Sequence, residues 1–491
     1  MDQSAAAGGR GLAMAALGVV LLGIALRILA YDPWAQFHAD EFYQYLEQGH
    51  RLATGYGAIP WEWREGVRNA LIPQLLAAPM GLGTAIAPDG LLAIHLARLT
   101  FAALCLMALA GAWGLGAAQS RRHALAALLV AAVWFDGVRF SVYVLSESLA
   151  TGLIVCGAAL VLAGGRQGWR LPLAGFLLAL GVLVRLQYAP YVGIFVLFAA
   201  GRDWRLWRGL ILGGLAALAL GVASDLANGQ VPLRWVWANI AQNIGAGRAA
   251  RFGTSGPLDY LAMLFAGLGP CAPLILLAAC FAGKRYRPLL AAALVTILAH
   301  SLIGHKEYRF IWLAVFTLLV LAAIASVSLL DLWLARRKPQ WREAPAPLLA
   351  LCLGWGAVAL AAWAATQGAA SLRGGGEITR AAHAVARLSQ VCGLAVPLQW
   401  HNNVISAYLR RDVAIYEIPE AVMQGTSPLP PAIVRAANAM LAPAPPAPGY
   451  VATSCHTGPG NTACLFVRPG PCEPAPARTF ERQTYMQAND L

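Results

Sequence analysis

The chain has 491 residues, 59% of them apolar and only 12% charged, with a formal net charge of +13. A soluble chain of ordinary composition carries about 25% charged residues. Half that fraction, set among repeated apolar runs of about 20 residues, describes a polytopic α-helical membrane protein. The basic residues lie in short clusters between the apolar runs, which is the pattern that orients membrane proteins and excludes a nucleic-acid partner.

In chain order the predicted spans are 11–30, 89–116, 124–143, 147–163, 171–187, 189–200, 209–224, 258–281, 289–304, 310–334 and 346–366. One side then collects Arg10, Arg121, Arg122, Arg166, Arg170, Arg202, Arg205, Arg208, Lys284, Arg285, Arg287, Arg336, Arg337, Lys338 and Arg342. Fifteen basic residues in short loops make that side cytoplasmic. Eleven spans put the amino terminus inside and the carboxyl terminus outside. Pro190 interrupts the sixth run, and reading 171–187 and 189–200 as one broken helix would destroy this charge asymmetry. Arg27 interrupts the end of the first run and no small-x-small site follows, so the segment reads as an uncleaved anchor rather than a signal peptide.

The unusual polar sequence falls on the outer side: loops 31–88 and 225–257, the turn GHKEYRF (304–310), and the tail. DEFYQYLEQGHRLA (40–53) places Phe42, Tyr45, Leu46 and Leu52 at helical spacing, which predicts a short amphipathic helix on the membrane surface. RNALIPQLLAAPMGL (68–82) reads as a second interfacial piece broken at Pro73 and Pro79. The expected division is therefore 1–366, a catalytic transmembrane domain, and 367–491, a periplasmic α/β domain. In the latter, VAIYEI (413–418) and CLFVRP (464–469) are strand-like and APAPPAPG (442–449) is a connector.

Cys105, Cys156, Cys271, Cys280 and Cys352 lie in apolar spans as small buried hydrophobes. Cys392, Cys455, Cys464 and Cys472 all fall in the tail, an even number that suggests two disulfides in an oxidising compartment such as a periplasm. Three pairings are open, with Cys455–Cys464 the easiest loop to close. A zinc site is the competing reading, but the spacing lacks a C-x2-C knuckle.

Ionisable side chains in or beside spans are costly, so each is a functional hypothesis. On the outer side these are Asp40, Glu41, Glu62, Arg68, Arg139, Glu147, Arg185, Asp225, His305, Lys306, Glu307 and Arg309. The bland alternatives are that Arg185 snorkels to the interface and that Glu147 pairs with Arg139. His305 and Arg309 are four apart and share a face with Lys306 if the backbone is helical. Three such groups opposite the cytoplasmic clusters suit an anion such as a phosphate. The first loop supplies the opposite sign, six acids (Asp32, Asp40, Glu41, Glu47, Glu62, Glu65) against Arg51, Arg64 and Arg68. An acid to deprotonate a hydroxyl and a basic cluster to stabilise a departing phosphate are what a lipid-phosphate sugar transferase needs.

HADEFYQYLEQGH, WEWREGVRNALIP and HKEYRF, in that order, resemble the His-x-Asp-Glu, Trp-Glu-Trp/Tyr…Arg-Ser…Pro and His-Lys-Glu-x-Arg-Phe signatures of glycosyltransferase family 22. This is the family of GPI and dolichol-pathway α-mannosyltransferases, with the GT-C fold. The likeness covers roughly 15–330 and continues more loosely at Asp225…Asn239 and in the tail. It implies transfer of mannose from a polyprenyl-phosphate sugar to a lipid-linked glycan, with inversion and with neither nucleotide sugar nor metal. By motif, Asp40 falls on the catalytic base, with Glu41 adjacent as second choice. His305, Lys306 and Arg309, with Arg185, are assigned by charge to the donor phosphate. Trp61, Glu62, Trp63, Arg68 and Asn239 are placed near sugar or acceptor. The chain departs from the family in Ala39 for Pro, Asn69 for Ser and Tyr308 for Glu, and in the tail stretch QWHNNVISAY (399–408). Frequent Ala, Gly and Arg suggest a bacterial inner-membrane enzyme with an undecaprenyl-like donor. Besides a structural receptor or anchor for the outside domain, which would leave the acids of the first loop unexplained, two alternatives stand beside this reading. One is a flippase or transporter of a lipid-linked sugar, disfavoured because no internal repeat occurs and the charges sit at one surface. The other is a metal site at His38, Asp40 and Glu41, which offers only three ligands.

Overall fold

The computed structural model describes residues 3–164, 168–342, 344–365, 372, 374–458, 461–473 and 478–491. Arg166 and residues 366–371, at the start of the tail, lie outside the described residues. The chain divides into two compact units, Met1–Tyr31 with Ala102–Gly368 and Asp32–Phe101 with Ala369–Leu491. The first loop thus falls in the same unit as the tail, whereas the sequence had grouped it with the transmembrane part.

The chain is a multi-pass α-helical membrane protein. Among the described residues six helices are long and apolar enough to cross a bilayer: Arg10–Ala30, Leu92–Ala117, Trp204–Ala227, Asp259–Ala279, Tyr308–Arg337 and Pro345–Ala365. A seventh span forms if Arg121–Val133 and Phe135–Val142, bent by 58°, count as one. Eleven crossings are therefore not confirmed. The expected spans 147–163, 171–187, 189–200 and 289–304 are helices of 17, 15, 12 and 15 residues. A straight crossing needs about 20.

In the first unit the helix Trp312–Arg337 is apolar all round and buried along most of its length, so it forms the inner helix of the bundle. The bend of the seventh span sits at Trp134, whose extended backbone stops one helix and starts the next. Arg27 fills the gap left by this break. Its guanidinium donates to the carbonyls of Gly23, Ala132 and Gly137 at 2.9, 3.2 and 3.3 Å. A buried arginine inside an apolar helix is tolerated where it satisfies backbone oxygens freed by the bend.

The second unit contains a five-stranded mixed sheet of order β2-β1-β3-β5-β4, built from β1 (Gly393–Pro397), β2 (Ala414–Ile418), β3 (Ala439–Ala442), β4 (Val451–Thr457) and β5 (Thr462–Val467). β1 runs parallel to β2 and β3, while β5 pairs antiparallel with β3 and β4. Alternate strand residues feed two apolar clusters, one around Leu394, Val396 and Leu441, the other around Ala395, Met440 and Phe466. Disulfides join Cys392 to Cys472 and Cys455 to Cys464.

The stretch 40–53 is not a surface helix. Residues 41–50 are all buried, polar ones included, as a π-helical turn Glu41–Leu46 followed by Glu47–Thr54. Glu47 finds partners that lie far away in sequence. Glu47 accepts the backbone N–H groups of Ala58, Ser406 and Ala407 at 2.7, 3.2 and 3.0 Å. The tail stretch QWHNNVISAY is thereby explained as a structural lock on the first loop. Residues 71–82 of the second expected piece are likewise unbroken, within the helix Leu71–Ile86. Pro73 occupies its first turn, where no intrahelical N–H bond is lost, and Pro79 is accommodated inside it. Gly49 lets this helix approach closely, since a Cβ there would stand 3.1 Å from Leu76 Cβ and Met80 Sδ.

His50 is fully buried beside Arg410, whose Nη1 lies 3.5 Å from its Nδ1. Burial, reinforced by the Arg410 charge, pushes the imidazole down to about 3. The unfolded chain takes up this proton below the ordinary value of about 6.5, whereas the folded chain does not. Stability should therefore fall as pH drops from about 6.5 towards 3. Thermal inactivation midpoints between pH 7 and 4 should show this slope, and His50→Gln should flatten it.

Candidate functional site

Asp40 and Glu41 are adjacent on a helical segment, so their side chains point about 100° apart. The structure places them in opposite environments. Glu41 is fully buried, with Oε1 2.8 Å from Arg98 Nη2 and Oε2 accepting the Phe37 N–H at 3.4 Å. Arg98 also donates to the carbonyls of Asp32 and Ala35 at 2.9 and 2.8 Å, so it staples the start of the loop. Asp40 keeps 17% of its side chain exposed, with His38 Nδ1 at 3.7 Å and Arg68 Nη2 at 3.9 Å. His38 Nδ1 accepts the Asp40 backbone N–H at 3.1 Å, which holds the turn ahead of the helix.

Arg68 also lies 3.6 Å from Glu62, linking the first two motifs. Burial pushes the Glu62 carboxyl above the usual range, and the Asp40 charge adds to this against the opposing pull of Arg68. Trp61 and Glu62 are buried in the short helix Trp61–Arg64, while Trp63 is half-buried. Behind this helix, Ile59 exchanges two hydrogen bonds with the Gln483 side chain, at 3.0 and 3.1 Å. On the sheet side of the same unit, Glu417 on β2 binds His401 Nδ1 at 3.0 Å and Arg482 Nε at 2.5 Å. Burial alone would raise this carboxyl, but Arg482 and His401 hold it below the usual range.

The HKEYRF element, in the first unit, is not helical at its start. Glu307 is extended, and a 3-10 turn Tyr308–Ile311 leads into Trp312–Arg337. His305 and Arg309 therefore do not share a helix face; they meet on Glu307 instead. His305 Nε2 is 3.0 Å from Glu307 Oε1, and Arg309 Nε and Nη2 donate to Oε2 and Oε1 at 2.5 and 3.2 Å. Lys306 points elsewhere, donating to the carbonyls of Ser255 and Ile303 at 3.1 and 2.5 Å. Arg185 does not snorkel: it is buried, with Nη2 2.9 Å from Glu147 Oε1, an oxygen that also lies 3.2 Å from Arg309 Nη1. Glu147 thus joins Arg185 to Arg309 and does not pair with Arg139. Arg139 binds Asp136 at 3.0 Å, and Tyr308 donates to the same carboxylate at 3.1 Å. The departure at position 308 is matched by this local acceptor. Asn239 is half-buried on the helix Arg234–Ile240.

Sequence reasoning missed Arg98, although an arginine inside the apolar run 89–116 was itself a signal. It also counted Glu307 and Glu147 as candidates without giving them a role in the site, where they are the acids that hold Arg309 and Arg185. Among the described residues no three His, Cys, Asp or Glu side chains converge to hold a metal ion.

The fold is shared with solved structures of the GT-C class. ArnT from Cupriavidus metallidurans in the apo state superposes with a TM-score of 0.55 at 15% identity, covering 81% of this chain and 85% of that one. The same protein bound to undecaprenyl phosphate gives 0.53 at the same identity and coverage. Residues 19–373 match the Alg9-like mannosyltransferase family, and the chain belongs to that family. Its curated relatives include GPI mannosyltransferase 3 of Yarrowia lipolytica, 31% identical over 298 residues, or 56% of this chain and 55% of that protein. GPI alpha-1,2-mannosyltransferase 3 of Bos taurus is 27% identical over 315 residues, 60% of this chain and 56% of its own length. The chain thus spans about half the length of the curated relatives it matches.

Proposed function

We propose that the protein transfers mannose from a polyprenyl-phosphate sugar to a lipid-linked glycan or glycolipid, inverting the anomeric centre in a single displacement. The observation that carries the assignment of the base is the contrast between two neighbouring acids: Glu41 is sealed from solvent against Arg98, while Asp40 keeps 17% of its side chain exposed. Asp40 takes the proton of the acceptor hydroxyl as that oxygen attacks the anomeric carbon. The bond from that carbon to the phosphate oxygen breaks, and the polyprenyl phosphate carries away the electron pair. Arg309 and His305, with Arg185 behind them and Lys306 turned from the carbonyls of Ser255 and Ile303, answer the charge of the departing phosphate. Trp61, Glu62, Trp63, Arg68 and Asn239 hold sugar and acceptor. Family membership supports the sugar, and the ArnT structure bound to undecaprenyl phosphate supports a lipid monophosphate as leaving group. The orientation we infer from the basic clusters puts the reaction on the periplasmic face of a bacterial inner membrane.

The test is purified protein in detergent with synthetic polyprenyl-phosphate mannose, a bacterial lipid extract and EDTA. A new glycosidic bond is the expected product, and its formation without a membrane potential separates the transferase from a flippase. If only nucleotide sugars serve as donors, the reading is wrong. Lys306→Met removes one charged donor, an interaction worth about 1.5–3 kcal/mol. The donor KM should therefore rise by at least about tenfold, with the acceptor KM little changed.

A further inference from the structure

Glu307 lies inside the element read as the donor-phosphate site, yet it carries the charge of the ligand. Its two carboxylate oxygens take the Nε–Nη2 edge of Arg309 side-on, while one of them also meets His305 Nε2. This is the planar two-oxygen seat that a guanidinium offers to carboxylate and phosphate alike. The remaining faces of the cluster are already committed. Glu147 is fully buried, its Oε1 facing Arg185 and Arg309 and its Oε2 accepting from Ser146 Oγ at 3.2 Å. Glu307 differs from Glu147 in access, with 25% of its side chain exposed against 0%. His305 and Arg309, at 14% and 5%, are screened behind it. Its backbone is extended, outside the following 3-10 turn, so its side chain can leave without unwinding a helix.

We propose that Glu307 is a displaceable carboxylate that occupies the anion seat of Arg309 and His305 until a lipid phosphate takes it. The inference rests on the reading of 305–309 as the donor-phosphate element. A phosphate entering while Glu307 stayed in place would meet its negative charge, so the arginine edge becomes available only by exchange. The same exchange acts in reverse after transfer: the carboxylate competes with the product phosphate and hastens its departure. Glu307 is thus a positioning residue that acts through Arg309 and His305, weakening phosphate binding to the benefit of turnover.

Farnesyl phosphate, a short soluble analogue of the lipid product, is the probe. In Glu307→Gln the competitor keeps its shape but loses its charge. Its inhibition constant should fall at least about fivefold, and the donor KM should fall with it while kcat does not rise. A residue needed only for folding would lower stability and raise KM. Glu307→Asp keeps the charge on a shorter arm and should shift the inhibition constant in the same direction, which keeps the test open if the glutamine variant does not fold. An unchanged or raised inhibition constant in a folded variant overturns the proposal. Lys306→Met, measured in parallel, separates the two ideas. If it weakens farnesyl phosphate while Glu307→Gln fails to strengthen it, only the displacement is wrong. If neither variant alters binding, the phosphate element itself is misplaced.

Discussion

Asp40→Asn is expected to lower turnover by at least about 10²-fold, the smaller end of what general-base assistance contributes, while the protein still inserts and melts normally. The amide is isosteric with the carboxylate but cannot accept the proton of an attacking hydroxyl. Folding should survive because the Asp40 side chain is part-exposed, where an amide can keep polar contacts with Arg68 and His38 and with water. Donor and acceptor KM should move little, since the loss falls on the transition state rather than on binding. Near-normal turnover in a well-folded Asn variant would remove Asp40 from the mechanism.

Glu41→Gln should do the reverse. Breaking one side of a buried ion pair leaves the other charge without compensation, at a cost of about 3–5 kcal/mol. Arg98 is that charge; beyond Glu41 it donates to the carbonyls of Asp32 and Ala35. The expected result is a sharp fall in detergent yield and in thermal inactivation temperature, with the activity of each surviving folded molecule within a few-fold of wild type. A stable Glu41→Gln protein that loses turnover by about 10²-fold would transfer the base assignment from Asp40 to Glu41.

The two variants differ by one position, yet their expected effects have different causes. Both acids were visible in HADEFY, together with the two other motifs and their order. What local pattern could not supply was the partner of each. Arg98 reaches Glu41 from the helix Leu92–Cys105, and Ser406 and Ala407 reach Glu47 from the tail. For the same reason the amphipathic reading of 40–53 was misleading. Glu47, Gln48 and His50 looked like a solvated face, but all three are buried inside the unit, Glu47 on backbone N–H groups of the tail, Gln48 on the carbonyls of Tyr43 and Ala58, and His50 beside Arg410. Spacing also suggested that His305 and Arg309 share a helix face, and the extended backbone at Glu307 removed that basis.

The sequence by itself determined that this is a polytopic membrane protein of a mannosyltransferase family. Apolar runs, charge clusters and motif order are local properties that burial does not rewrite. It also marked the four tail cysteines, which the structure pairs as 392–472 and 455–464. Only the tertiary structure decided which acid of Asp40–Glu41 keeps solvent contact and which acid binds the motif arginine. A carboxylate's availability depends on the charge that faces it and the solvent that reaches it, and here both are set by contacts between residues far apart in the chain.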